Sequence, residues 1–340
     1  MKTTVKSLAT RKRKIKSIAV LCSGGDAPGM NAAIRAVIRY AVFHGLEAYG
    51  IHKGYSGLLE GSVEPMSLRS VANIIQRGGT ILKTARCDAF LERRVRAEAV
   101  NILRRKKIDA LVVIGGDGSY TGAHLLGTEN RYPVVGVPGT IDNDVYCTDY
   151  TIGFDTAVNT AVEAIDKIRD TASSHDRVFL VEVMGRTSTE IATRVALCGG
   201  AETVYIPGED TGLTKLVATL KRSQESSKLS SIVIVAEGDE SGLSDRLSRA
   251  LKEKAGLESK VAVLGHLQRG GTPSAQDRFM ASVMGARAVK ALIDGDHSCA
   301  VSMVKGHVQL MPFSRIIVNG KGKHKKPNRE LLKLVQILAS

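Results

Sequence analysis

The 340-residue sequence predicts an α/β fold built on open parallel sheets, and three observations lead there. Wholly apolar runs such as 111–114 and 134–137 have the length and continuity of strands buried on both faces. Each run ends in glycines and polar residues, and several are followed by apolar residues at helical three- and four-residue spacing. The length is enough for two α/β domains with sizeable cores.

Taken in order, 18–22 reads as the first strand, followed by Ser23-Gly24-Gly25-Asp26-Ala27-Pro28-Gly29-Met30-Asn31. A helix then runs to about His44, with Ile34, Val37, Ile38 and Ala41 on one face. A strand, glycine turn and helix would direct free N–H groups at an anion, although a plain capped turn looks the same in sequence. Neither G-x-G-x-x-G nor G-x-x-x-x-G-K-[ST] is present here. The run 46–52 reads as a second strand, ending near Tyr55, which suits either a base-stacking ring or an ordinary half-buried tyrosine. Residues 71–76 read as a short helix stopped by Gly78-Gly79, and Arg86 beyond it is within reach of phosphates. Residues 93–107 read as a basic amphipathic helix whose charges form a solvated face.

The stretch 111–150 carries most of the chemistry. Its first strand ends in Gly115-Gly116-Asp117-Gly118-Ser119, and its second in Pro138-Gly139-Thr140-Ile141-Asp142-Asn143-Asp144. Ligands bind at the carboxyl ends of strands in open parallel sheets. Glycines let backbone N–H groups approach phosphate oxygens, and Asp117 offers oxygen to Mg²⁺, a hard cation. Asp142 and Asp144 offer a base for a substrate hydroxyl. Gly-Gly-Asp-Gly also makes a tight turn in which Asp caps a helix. Gly-Gly-Asp occurs at 24–26 as well as 115–117, each time after a strand, and the pair points to phosphoryl transfer.

In the second half, 154–171 reads as a core-packed helix, and strands at 178–183, 232–236 and 261–264 follow. Arg177 precedes the first of these strands, whose end carries Met184-Gly185-Arg186. The second ends at Glu237, and the third leads into Gly265-His266-Leu267-Gln268-Arg269-Gly270-Gly271. Arginines for a phosphate, with Glu and His for hydroxyls, suit a sugar phosphate. No Ser/His/Asp arrangement or HExxH spacing supports a hydrolase or zinc reading.

The net charge of +14 is concentrated at the ends. Residues 1–16 hold seven Lys/Arg and no acid, and residues 319–340 hold six against Glu330, leaving an excess of only two between them. Such tails are expected to be solvated, and with no Trp and few aromatics a base-stacking platform and specific nucleic-acid binding are not expected. Five scattered cysteines without a C-x-x-C pair suit a reducing cytosol. No apolar run is long enough to span a bilayer, and the N-terminus lacks the apolar core of a secretory signal.

Assembled in this order, SGGDAPGMNAAIR, IGGDGSYTGA, PGTIDNDV, DYTIGFDTA, VEVMGR and LGHLQRGG make residues 16–295 resemble the bacterial-type ATP-dependent 6-phosphofructokinases. The resemblance implies two doubly wound (Rossmann-like) domains with the active site in the cleft between them, usually in a cytoplasmic homotetramer. By this resemblance 1–16 is a basic extension, 17–153 with about 268–318 binds ATP, and 154–267 with about 319–340 binds the sugar phosphate and ends in a basic tail. ATP would meet Gly25, Tyr55, Arg86, Cys87, Gly116, Asp117, Gly118, Ser119 and Gly122, and Asp117 would serve Mg²⁺. Asp142 would take the proton from the sugar 1-hydroxyl, supported by Asp144, while Thr140 and Arg186 hold the transferring group. Fructose 6-phosphate would meet Thr140, Ile141, Asp142, Met184, Gly185, Arg186, Glu237, His266, Leu267, Gln268 and Arg269, with Arg177 and Lys260 reaching it from a neighbouring subunit.

Relatives that use pyrophosphate tend to carry Asp in place of Gly118 and Lys in place of Gly139. Here both are glycine, which leaves room for an α-phosphate and nucleoside, places no extra cation on a pyrophosphate and favours ATP. Lys260 stands where the family usually has Arg, and Thr187-Ser188-Thr189 is bulkier than the usual turn. Arg35, Arg39, Arg169, Glu202 and Lys228 match the family's effector pocket. Leu68 and Ser226 replace expected cations there and Asn73 an expected Asp, so regulation by ADP or phosphoenolpyruvate is not carried over. The alternatives are pyrophosphate or tagatose 6-phosphate as substrate, an NAD or lipid kinase sharing the Gly-Gly-Asp-Gly turn, or a non-catalytic binder of sugar phosphates or polyanions.

Overall fold

A computed structural model describes residues 15–172, 178–208, 212–225, 231–238, 241–318, 321–322 and 327–339. Eleven strands build its two main sheets. They are β1 (Ser17–Ser23), β2 (Glu47–Ile51), β3 (Val63–Pro65), β4 (Ala110–Gly115), β5 (Val134–Pro138), β6 (Val178–Val183), β7 (Thr203–Tyr205), β8 (Ser231–Ala236), β9 (Ser259–Val263), β10 (Cys299–Val304) and β11 (His307–Pro312). The first sheet has the order β11-β10-β5-β4-β1-β2-β3, parallel except for its outermost strands, and the second runs β7-β8-β6-β9, all parallel.

The helices are α1 (Met30–Phe43), α2 (Gly54–Leu59), α3 (Arg93–Arg105), α4 (Asp117–Asn130), α5 (Phe154–Ala172), α6 (Glu190–Cys198), α7 (Leu213–Glu225), α8 (Leu243–Ala255) and α9 (Ala275–Asp294). One continuous core, including Ile34, Val112, Val137, Ile165, Val181 and Ile234, joins the facing sides of the two sheets through α1, α5, α6 and α9. Separate apolar clusters cover the outer face of each sheet. Apolar residues therefore line both faces of the central strands, as their unbroken hydrophobic runs require.

The segment 71–76 departs from expectation. It forms turns rather than a helix, because Asn73 takes a left-handed φ of 53° and the amide bonds reach back three residues (Ala72 to Arg69, Arg77 to Ile74). The side chains of Val71 and Ile74 anchor those turns in the core. The reading of α3 also needs one correction. Arg96 does not join the solvated face; it is 3% exposed and makes a bidentate pair with Glu129 on α4 (2.7 and 2.6 Å). Its third nitrogen donates to the Phe90 carbonyl at 2.8 Å.

A buried carboxylate joins the two halves. Asp277, in the first turn of α9, accepts from the backbone N–H groups of Gly153 and Thr156 at the start of α5 and from the Thr156 hydroxyl. Ser274 caps α9, donates its hydroxyl to Asp155 and its N–H to the Thr156 hydroxyl oxygen, so each helix satisfies an amide at the other's beginning.

Candidate active site

β1 and β4 lie side by side in the first sheet, with β2 and β3 running outward on one side and β5 on the other. That reversal of strand order opens a crevice beyond their carboxyl ends. Both Gly-Gly-Asp turns sit there, tied together by Ser119, whose buried hydroxyl donates to the Ser23 carbonyl at 2.8 Å. Thr84 donates to the Gly24 carbonyl at 2.7 Å, which draws the loop leading to Arg86 against the first turn. Asp117 opens α4, where the aligned N–H groups favour negative charge.

The glycines divide by what surrounds them. A Cβ at Gly118 would meet nothing within 4 Å, whereas one at Gly116 would touch Thr140. At Gly122 it would press on Tyr55 and Phe90, and at Gly25 on the Arg269 guanidinium (2.5 Å). At Gly139 an added Cβ would lie 2.7 Å from Ile114, inside the sheet, so glycine there serves close packing besides leaving no cation, and the open space is beside Gly118.

Tyr55 is buried, stacks on Phe90 (centroids 3.9 Å, 15°) and donates its hydroxyl to the Ser119 carbonyl at 2.7 Å. It thereby supports the second glycine turn from below. Arg86 is exposed and Cys87 half-buried at the same edge.

From β5 the chain turns through Thr140 and Asp142. Thr140 is positioned by a bond from its amide to Ile152 and one from Thr151 Oγ1 to its carbonyl, and its hydroxyl accepts from the Asp142 N–H at 3.3 Å. Asp142 is 7% exposed, and its Oδ1 has no hydrogen-bond partner among the described residues. Burial pushes its carboxyl up to about 6; Asp144 and Glu237 add to the rise, and Arg269 and Arg186 oppose it. Asn143 between the two aspartates takes φ 47°, a conformation open to asparagine at modest cost. Ile141 points into the core and offers no side-chain contact to a ligand.

The second sheet presents its strand ends to the same region. The Glu237 carboxylate accepts from the backbone N–H groups of Gly185 and Arg186 (3.3 and 3.2 Å), which shapes the turn that carries the exposed Arg186 side chain. Met184 lies largely in the core. Arg269 spans to the first sheet, donating to the Asp26 carbonyl at 2.9 Å. His266 and Leu267 are exposed. Gln268 corrects the reading of its turn: it is wholly buried, with Oε1 accepting from the Met184 N–H (2.8 Å) and Nε2 donating to the Ala157 carbonyl. Its side chain braces the turn instead of facing a ligand. Lys260 is exposed on the edge strand β9, while Arg177 lies outside the described residues.

Two of the predicted effector residues, Arg169 and Glu202, have local partners. Arg169 donates to the Gly199 and Gly200 carbonyls and Glu202 accepts from the Ile232 N–H. Arg35 and Arg39 sit a turn apart on α1, and Lys228 and the residues 1–14 lie outside the described residues. Sequence reasoning flagged Ser188 only as part of a bulky turn and missed Glu190; the two touch Asp142 and Asn143 across 46 and 47 positions. No local pattern signals such bonds.

A buried aspartate stands between two glycine turns open to phosphate and an arginine-bearing strand end. These features define a two-substrate phosphotransferase of the doubly wound α/β class. A family model described as Phosphofructokinase matches residues 17–292. The chain belongs to the phosphofructokinase family.

ATP-dependent 6-phosphofructokinase 1 of Thermus thermophilus is 53% identical over 325 residues, covering 96% of this chain and 100% of that protein. The Shouchella clausii ATP-dependent 6-phosphofructokinase is 51% identical over 305 residues, covering 89% of this chain and 94% of its own. Among solved structures, the Saccharomyces cerevisiae phosphofructokinase superposes with a TM-score of 0.82 at 33% identity over 88% of this chain, which spans 44% of the yeast chain. A pyrophosphate-dependent phosphofructokinase from Nitrosospira multiformis (TM-score 0.79, 22% identity, 94% of this chain and 92% of that one) shares the fold.

Proposed function

We infer that this chain transfers the terminal phosphoryl group of ATP to the 1-hydroxyl of fructose 6-phosphate, giving fructose 1,6-bisphosphate. The observation that carries the reading is the placement of Asp142 among Asp144, Arg186, Glu237 and Arg269, with open space beside Gly118. Asp142 would accept the hydroxyl proton as the oxygen attacks, with Asp144 beside it. Arg186 and the Thr140 hydroxyl would meet charge on the moving group, and the N–H groups at Gly116–Ser119 the phosphates behind it. Glu237, His266 and Arg269 would orient the sugar phosphate.

Mg²⁺ fits this donor set. Asp117 offers a carboxylate at the crevice, and no group of three His, Cys, Asp or Glu forms a protein cage among the described residues, as suits an ion held mainly by phosphate and water oxygens. Bound with ATP, Mg²⁺ would offset charge on the phosphates. We further propose a cytosolic homotetramer in which Lys260 and Arg177 of one copy reach the sugar-phosphate site of another. Light scattering in solution would return four times the 36.3 kDa chain mass, and a monomer mass would overturn the assembly. Among the described residues no helix is long and apolar enough to cross a membrane.

The experiment that tests the reading is steady-state phosphorylation of fructose 6-phosphate with Mg²⁺, run with ATP and with pyrophosphate. Turnover with ATP alone is expected, and turnover only with pyrophosphate would sink the argument from Gly118. The acid limb of kcat/KM should lie near pH 6, where Asp142 loses its proton, and rate should fall as pH drops below it. A limb in the ordinary carboxylate range would show that Asp142 is not held in this buried setting.

A further inference from the structure

The turn after Arg186 is fastened to the turn that carries Asp142, and the fastening uses residues that the chemistry itself does not. Gly185 has φ 150°, and the Ser188 N–H donates to its carbonyl at 2.8 Å, so that 185–188 folds back tightly. This brings the Ser188 hydroxyl, 8% exposed, within 2.7 Å of the Asp142 backbone carbonyl, to which it donates. The same oxygen accepts from the Glu190 N–H at 3.3 Å, at the positive end of α6. A second link lies one residue along. Asn143 Nδ2 donates to Glu190 Oε2 at 3.2 Å and to the Asp149 carbonyl at 3.1 Å.

Asp142 Oδ1 has no hydrogen bond of its own among the described residues, so its carboxylate is aimed by its backbone. That backbone is gripped by Ser188 at the residue 142 carbonyl, and the side chain of the next residue, Asn143, is held by Glu190. We propose that Ser188 and Glu190 are positioning residues that form a strap between the two sheets, fixing Asp142 relative to Arg186 for proton removal. The inference rests on the reading of Asp142 as the base. Because Ser188 is buried, water cannot easily replace its hydroxyl, and its loss would free the Asp142 carbonyl to shift. Displacing a reacting group by even an ångström is costly when the reaction depends on alignment.

The test compares Ser188→Ala, Ser188→Thr, Glu190→Ala and Asp142→Asn in the intact chain. Ser188→Ala is expected to lower kcat about tenfold and to leave the KM for ATP within about twofold, since the strap touches neither glycine turn. Its acid limb should move below that of the wild type, as Asp142 slips out of the burial that raises its carboxyl. Ser188→Thr keeps the hydroxyl and should restore most of the rate and the limb. Wild-type kcat and acid limb in Ser188→Ala, or a lowered melting temperature alone, would overturn the strap. If that variant does not fold, Glu190→Ala must show the same loss of kcat at constant KM for ATP, and wild-type kinetics there would overturn it equally. Asp142→Asn separates the two claims. Retained turnover in it refutes the base, whereas an inactive Asp142→Asn beside a normal Ser188→Ala refutes the strap alone.

Discussion

Asp142→Asn is expected to lower kcat by about 10²–10⁴-fold, the range of a positioned general base, while both substrates still bind. It should also make the protein harder to melt at neutral pH. The folded carboxyl keeps its proton up to about pH 6, against an ordinary value of 3.8. Between those values the folded state binds more protons than the unfolded one, so stability falls as pH rises, and the full penalty is present above pH 6. The neutral amide removes it, a gain of up to about 3 kcal/mol for a shift of this size. Paired kcat and thermal-melting measurements at neutral pH check both halves. Lost turnover without added stability would mean that the carboxylate is well solvated, and stability gained with turnover intact would remove Asp142 from the chemistry.

Arg96→Met should have the largest effect on stability, a loss of about 3 kcal/mol, toward the low end for a broken buried pair because Glu129 remains partly in water. The substitution removes both bonds to Glu129 and the one to the Phe90 carbonyl, beneath the Tyr55–Phe90 stack. The hydrogen bond from Arg96 is the first cause holding the Glu129 carboxyl below its usual 4.5. Its stabilisation is therefore present above that value and fades as pH falls beneath it, so the gap between variant and wild type should narrow in acid. Urea titrations of Arg96→Met, Glu129→Gln and the double variant measure the pair. Additive losses would show that the two side chains act separately.

Much of the architecture is legible because buried strands announce themselves. β1, β4, β5, β6 and β8 fall within a residue of their apolar runs, since both faces of each lie against core. The glycine turns are legible too, being short, local and rich in residues with special backbone freedom. Failures come where partners are distant in sequence or sit outside a periodic pattern. The helix α2 starts at Gly54 with two successive positive-φ residues, Lys53 and Gly54, and its sequence has no helical signature. Arg96 reads as one more surface charge until Glu129 is brought against it 33 positions on. Gln268 sits among residues typical of a ligand-binding turn, yet its amide serves two backbone groups far away in the chain. Gly139 has the right residue for a donor argument and a second physical reason for being glycine.

The carboxylate of Asp277 has a further consequence for how the polypeptide is made. It supplies the beginning of α5, 124 positions earlier at Gly153, with acceptors that the local sequence does not provide. The first sheet waits as well, because β5 has β10 as its outer neighbour and β11 lies beyond that. A growing chain on the ribosome that has only its first half exposed holds a sheet with an open edge and a helix with uncapped amides. Neither is completed until residues 275–312 emerge, so the first sheet, begun at β1, closes only after every strand of the second sheet has been made.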